Sequence, residues 1–111
     1  MSVKLYHADC LEVIKTLSEN SIDAIVTDPP YGLSEQKTDD VIACMSAWIS
    51  GKPYLHNKKG IMSLDWDGWV PGPELWKECL RVIKPGGYLL SFSGTRTYDL
   101  MVMAVRLAGE K

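Results

Sequence analysis

The chain has 111 residues, 46% of them apolar, and a formal net charge of −2 at neutral pH. One modest domain of ordinary globular composition follows, burying about 65% of its unfolded surface by size scaling. No apolar run approaches the roughly 18–20 residues of a membrane span and the N-terminus carries no signal pattern, so a soluble intracellular protein is expected, and the slight acidity counts against strong nonspecific duplex binding.

In chain order, Val3-Lys4-Leu5-Tyr6-His7 alternates as a short strand. Asp9 and Glu12 have capping-box spacing, and Leu11, Ile14 and Leu17 fall on one face of the helix that follows. Ser18-Glu19-Asn20-Ser21 breaks that pattern. Ala24-Ile25-Val26 is apolar and β-rich, as in a strand covered on both faces. Strand, helix and strand predict a βαβ unit with parallel pairing and a right-handed crossover. Asp9 and Asp28 would then sit at carboxyl ends of parallel strands, the edge where open α/β sheets bind ligands.

The second strand runs into Asp28-Pro29-Pro30-Tyr31-Gly32. The prolines fix φ twice and remove two N–H donors while leaving their carbonyls as acceptors. Tyr31 adds a flat ring, and Gly32 lets the chain turn away. A carboxylate, a free carbonyl and a ring within four residues suit the exocyclic amine of a nucleobase. Two acceptors on its hydrogens favour the tetrahedral nitrogen that develops during attack, and stacking on the ring is worth about 1–3 kcal/mol. The base must first be flipped out of its duplex.

Residues 32–62 are the least regular stretch and read as a long, mobile loop. Within it, Asp39 to Ile49 is spaced as a helix through Val41, Ile42, Met45 and Ile49. Trp48 and Tyr54 are core or contact residues, undecided by sequence. Gly51 to Gly60 holds three lysines, a histidine and a tyrosine but no acid. It reads as a solvated loop or as a DNA-facing one, with Lys52, His56, Lys58 and Lys59 as the contacts. Leu64-Asp65-Trp66-Asp67-Gly68-Trp69 reads mainly as two tryptophans packed under a loop. Pro71-Gly72-Pro73 and Glu74 start a helix with Leu75, Trp76, Cys79, Leu80, Val82 and Ile83 on its apolar face. Lys84-Pro85-Gly86-Gly87 stops it. Tyr88 to Phe92 reads as another buried strand. Thr95 or Thr97 caps a last helix, with Leu100, Met101, Met103, Ala104 and Leu107 inward. Cys10, Cys44 and Cys79 are too widely spaced for a disulfide framework or a Cys-x-x-Cys site, so no metal is expected.

Asp28-Pro29-Pro30-Tyr31 resembles the catalytic motif of the S-adenosylmethionine-dependent DNA amino-methyltransferases, the N4-cytosine/N6-adenine group. So do His7-Ala8-Asp9-Cys10-Leu11-Glu12, Leu64-Asp65-Trp66-Asp67 and Lys84-Pro85-Gly86-Gly87-Tyr88-Leu89-Leu90, in family order and over most of the chain. The resemblance implies an α/β, partial Rossmann-like methyltransferase fold with a mostly parallel sheet and flanking helices. It assigns catalysis to Asp28, Pro29, Pro30 and Tyr31, and cofactor contacts to Asp9, Cys10 and Asp28. S-adenosylmethionine is the implied cofactor and DNA the substrate, in the cytoplasm of a bacterium or a phage-infected cell. Restriction-modification is the implied setting. Aspartate at the first motif position leans toward adenine N6 over cytosine N4. Methyltransferases acting on RNA or protein glutamine share a similar corner, but their glycine-rich loop precedes it, and no glycine precedes Asp28 here.

One departure tempers the match. The chain contains no Gly-x-Gly, whereas complete members carry a Phe-x-Gly-x-Gly cofactor loop, here expected C-terminal to the catalytic motif. No stretch is long enough for a target-recognition region. Residues 1–111 are therefore expected to be a catalytic half: a truncated product, a fragment, or one piece of a split enzyme, with weak or no turnover alone. A homodimer or a complementing C-terminal half is expected, because half a sheet leaves an open edge. The alternative is an inactive remnant that binds DNA or a partner.

Overall fold

The computed structural model describes residues 2–32, 37–55 and 69–109. Its described elements are α1 (Cys10–Lys15), β1 (Ile22–Thr27), α2 (Thr38–Ile49), α3 (Pro73–Val82), β2 (Ile83–Ser91) and α4 (Tyr98–Gly109). β1 and β2 pair in parallel, and the connection between them holds α2 and α3. The architecture is a small α/β fold, part of a Rossmann-like sheet with flanking helices.

The expected first βαβ unit does not form. Val3–His7 adopts no strand, and Val3, Leu5 and Tyr6 are 78%, 93% and 57% exposed. Alternation supplies a face, but a strand also needs a hydrogen-bonding neighbour. β1's described neighbour is β2, some sixty residues later.

Asp9 does cap α1: its Oδ1 accepts the Leu11 amide at 2.9 Å. Glu12 faces Lys15 at 3.7 Å, an exposed pair worth little. α1 ends at Lys15, earlier than the Leu11, Ile14, Leu17 spacing suggests, and Arg81 meets its end. The guanidinium donates to the Leu17 and Ile14 carbonyls at 2.9 and 3.0 Å, held by Glu78 at 3.1 Å. The Asn20 and Ser21 amides donate to the carbonyls of Arg81 and Val82. The loop before β1 is thus pinned to the end of α3, which fixes where β1 begins.

α2 buries Cys44 and Trp48 and half-buries Val41 and Met45, a stripe at helical spacing. Ile42 and Ile49, expected inward, are 57% and 68% exposed. Gly51, at φ +78°, ends the helix: its amide donates to the Trp48 carbonyl and the Lys52 amide to that of Ala47. Trp48 is therefore core. Tyr54 is half-buried, its ring 5.2 Å from that of Trp69 and tilted by 56°. Trp69 is buried and its Nε1 donates to Cys44 Sγ at 3.3 Å. The expected packing role holds for Trp69; residues 64–68 lie outside the described residues.

α3 starts at Pro73 and buries Trp76 and Cys79 in one core with Leu100, Met101 and Ala104 of α4, and it ends on Val82, also fully buried. The chain then passes directly from helix to strand. Lys84 to Gly87 forms an irregularity between the Ile22–Ile83 and Ala24–Tyr88 pairs, with Gly86 at φ +83°. A Cβ on Gly87 would lie 2.7 Å from the Asp23 carbonyl oxygen. The breakers stop the helix as expected, but inside the strand's own bounds.

Among the described residues, neither strand is covered on both faces. Ile25 and Leu89 pack toward the helices, while Val26, Tyr88, Leu90 and Phe92 are 68%, 70%, 58% and 63% exposed. All the described helical packing lies on one side, so the apolar runs that read as doubly buried keep one face open.

Candidate functional site

The last rung of the sheet sets the corner. The Phe92 amide donates to the Thr27 carbonyl at 3.1 Å, and both strands stop there. Asp28 follows, exposed at the carboxyl end of the sheet. Pro29 is buried, and Pro30 and Tyr31 are half-buried. Gly32 turns at φ +69°, where a Cβ would come within 3.2 Å of the Trp69–Val70 backbone. A side chain there would be strained twice, by φ and by contact.

Among the described residues, three groups hold Tyr31. Its own hydroxyl donates to Asp28 Oδ1, its carbonyl accepts the Thr97 hydroxyl, and its Cβ faces Gly94, where an added Cβ would stand 3.3 Å away. Thr97 is 2% exposed, the one buried polar residue of the described core. Sequence reasoning names Thr97 only as a possible helix cap; its position directly before α4 agrees, and its carbonyl accepts the Met101 amide at 3.1 Å. Its second task, tying α4 to the corner, has no local sequence signal because its partner is 66 residues away. Asp28 is not turned inward: no described cation pairs with it, and its described partner is the tyrosine of its own motif.

The other sequence candidates are dispersed. Asp9 and Cys10 are exposed at the start of α1, with Asp9 engaged in capping. Cys10 lies near enough to Cys79 of α3 to raise its pKa, though burial is the larger cause, and the thiol is pushed up to about 11. Cys44 is likewise pushed up to about 11 by burial, partly offset by the Trp69 hydrogen bond. Neither thiol is a nucleophile at neutral pH. Lys52 lines a cavity of about 520 Å³ with Trp48, Pro73, Glu74 and Lys77, and a second cavity of about 410 Å³ lies between β2 and α4. Neither includes Asp28 or Tyr31. His56, Lys58 and Lys59 lie outside the described residues. Among the described residues no cluster of three metal-ligating side chains occurs, and no helix is long and apolar enough to cross a membrane.

No family model and no solved structure matches the chain significantly. Curated relatives do. The type II methyltransferase M.BamHI of Bacillus amyloliquefaciens is 34% identical over 91 residues, 81% of this chain and 17% of that protein. M.HpaI of Haemophilus parainfluenzae is 30% identical over 99 residues, 86% of this chain and 24% of the relative. M.HindIII of Haemophilus influenzae is 28% identical over 123 residues, covering 95% and 39% respectively. The chain thus spans well under half the length of each of these relatives.

Proposed function

The chain belongs, over the segment it spans, with the DNA methyltransferases, and from that premise we propose that it carries the base-gripping corner of an amino-methyltransferase, with adenine N6 as the favoured target and cytosine N4 as the alternative. Asp28 accepts a hydrogen bond from one hydrogen of the target amine. The Pro29 carbonyl accepts the other. Together they favour a tetrahedral nitrogen, which withdraws its lone pair from conjugation with the ring and frees it to attack, a positioning effect made without any protein nucleophile. Tyr31 stacks on the flipped base, and Thr97 and Gly94 fix the height of its backbone. The exposure of Asp28 at the carboxyl end of a parallel sheet is the observation that carries this reading.

S-adenosylmethionine, when bound, supplies the methyl group. The donor set fits its cationic sulfonium end: an exposed carboxylate, and proline carbonyls that only accept. Asp28 would face that end, with Asp9 and Cys10 as further cofactor contacts. The adenosyl end finds no counterpart in either of the two described cavities, and the sequence holds no Gly-x-Gly. These two facts favour a second reading, a binding-only remnant in the same bacterial or phage-infected cytoplasm. Lys52, with His56, Lys58 and Lys59, would form the DNA-facing loop in either case.

The test is methyl transfer from labelled S-adenosylmethionine to DNA, with calorimetric titration of the cofactor beside it. Removing one preorganised polar group at a reacting centre costs about 10²–10³ in rate. Asp28→Ala is expected to lose at least that much, with cofactor binding weakened less. Transfer that persists in Asp28→Ala would sink the proposed role. No cofactor heat at millimolar concentration would establish the remnant instead.

A further inference from the structure

The cavity of about 520 Å³ lies away from the corner, where the ends of α1, α2 and α4 meet the first half of α3. Trp48, Ile49, Pro53, Pro73 and Leu107 give it apolar walls with several flat rings. A space of this order holds a small organic molecule when a few polar groups are placed in it. Here those groups come from separate elements: Lys15 ends α1, Lys52 follows α2, and Glu74, Lys77 and Glu78 lie on α3. Two of the five are already engaged. Lys15 faces Glu12 at 3.7 Å, and Glu78 holds Arg81 at 3.1 Å. Among the described residues no ion pair engages Lys52, Lys77 or Glu74. Two cations are therefore left against one acid. Trp48 also points to a ligand. It is 4% exposed, yet among the described residues no hydrogen bond reaches its Nε1. That nitrogen sits at the start of α3, where a Cβ on Gly72 would stand 3.0 Å from it and 2.8 Å from Glu74 Oε2. Gly72 caps α3 without a side-chain hydrogen bond. A donor left over on a buried side chain in a cavity wall is one that a ligand's acceptor can satisfy.

We infer that this cavity binds a small organic anion, an apolar ring carrying one negative head. The ring lies against Trp48, Ile49, Pro53, Pro73 and Leu107, the head sits between Lys52 and Lys77, and Trp48 Nε1 donates to an acceptor on the ligand. The charges choose this class. A surplus of one cation matches a single negative head, and the dipole at the start of α3 favours the same sign. A phosphodiester strand, charged at every unit, gains little from that surplus. An organic cation has only Glu74 to meet it, beside two unpaired lysines. Neither Asp28 nor Tyr31 lines the cavity, so the site stands apart from the methyltransferase reading. Lys52 is shared with the DNA-facing loop, and Lys77 is therefore the residue on which a test turns.

The probe is 2-naphthoate, with 2-naphthamide as its uncharged counterpart, titrated into the 111-residue chain while NMR follows the indole N–H resonances. Trp48→Phe identifies the resonance of Trp48. The expected result is a saturable shift of that resonance with the acid, and binding of the amide about tenfold weaker. Lys77 is exposed, so Lys77→Gln leaves the core intact; it should weaken the acid about threefold and leave the amide unaltered. Glu74→Gln should tighten the acid by about the same factor. A Trp48 resonance unmoved at millimolar acid overturns the inference, and so does an amide that binds as well as the acid. Shifts confined to Val26, Leu90 and Phe92 would put the probe on the open sheet face and overturn it equally. None of these outcomes bears on the catalytic proposal, whose readout is methyl transfer.

Discussion

Thr97 is almost wholly enclosed, and its hydroxyl spans the gap between α4 and the carbonyl of Tyr31. A valine there keeps the shape and removes the donor, leaving a carbonyl short of a partner. Such a loss costs about 1–3 kcal/mol. Thr97→Val is therefore expected to lower stability by that amount in urea denaturation, and Thr97→Ser to restore most of it. A valine variant as stable as the parent would mean that the tie is idle. The buried thiols make a second residue-scale prediction. Cys44 and Cys79 titrate at about 11 in the folded chain against 9.0 for the ordinary thiol. Below pH 9 both states hold the proton and the burial of neutral thiols contributes in full. Between pH 9 and 11 the unfolded chain sheds protons that the folded chain keeps, so stability falls, by up to about 1.4 kcal/mol per pH unit for each thiol. The urea midpoint should drop between pH 8 and 10.5, and the drop should shrink in a Cys44→Ala, Cys79→Ala variant compared with its own midpoint at pH 8. At this scale the sequence displayed Asp28 to Gly32 in full, because a carboxylate, two prolines, a ring and a glycine act through neighbours in the chain. It could not display the Thr97 tie, which exists only once α4 is folded.

Among the elements, the helices were the legible part. Pro73 and Glu74 start α3 as expected, Asp9 caps α1, and the 3.6-residue spacing of α3 and α4 finds most of the core, although Leu80, expected inward, is 38% exposed and Ile83 opens β2 instead. α2 was legible in extent but not in rotation: Cys44 and Trp48 face inward where Ile42 and Ile49 seemed equally suited. The hydrogen bond from Trp69 to Cys44 and the Gly51 ending favour the observed face, and both depend on contacts or backbone angles that periodicity does not carry. Strands fared worse, since pairing is non-local. Val3–His7 has the alternation of a strand but no described neighbour, and β1 and β2 have apolar runs on both faces but helices over only one. The junction of α1, α3 and β1 hangs on Arg81, which no motif announces. Its guanidinium closes the end of α1 while its own carbonyl anchors Asn20. Arg81→Ala should cost about 1.5–3 kcal/mol, the range for hydrogen bonds to a charged group, and Arg81→Lys should recover less than half of it because an ammonium cannot span both carbonyls and Glu78 in one plane. Hydrogen exchange should show the loss first at residues 14–21.

At the scale of the whole molecule, the charge decides what the chain meets alone. A net charge of −2 offers little to a polyanion, and duplex affinity grows with each phosphate a lysine or arginine neutralises. The described surface adds Lys52 beside a cavity it shares with Lys15 and Lys77 and with Glu74 and Glu78, so the acids offset all but one of its cations. The chain therefore holds the groups that would orient an amine without the positive field that would bring DNA to them. Free 111-residue chain should bind a 20-base-pair duplex more weakly than about 10⁻⁴ M at physiological salt, the loose end of nonspecific affinity. Fluorescence anisotropy at 50 and 200 mM salt gives the check. Each neutralised phosphate contributes about −0.9 to the slope of log affinity against log salt, so a chain using only Lys52, Lys58 and Lys59 should show a slope no steeper than about −3. Micromolar binding with a slope near −6 would require a basic surface that the composition does not provide, and would show that this chain meets DNA without a partner.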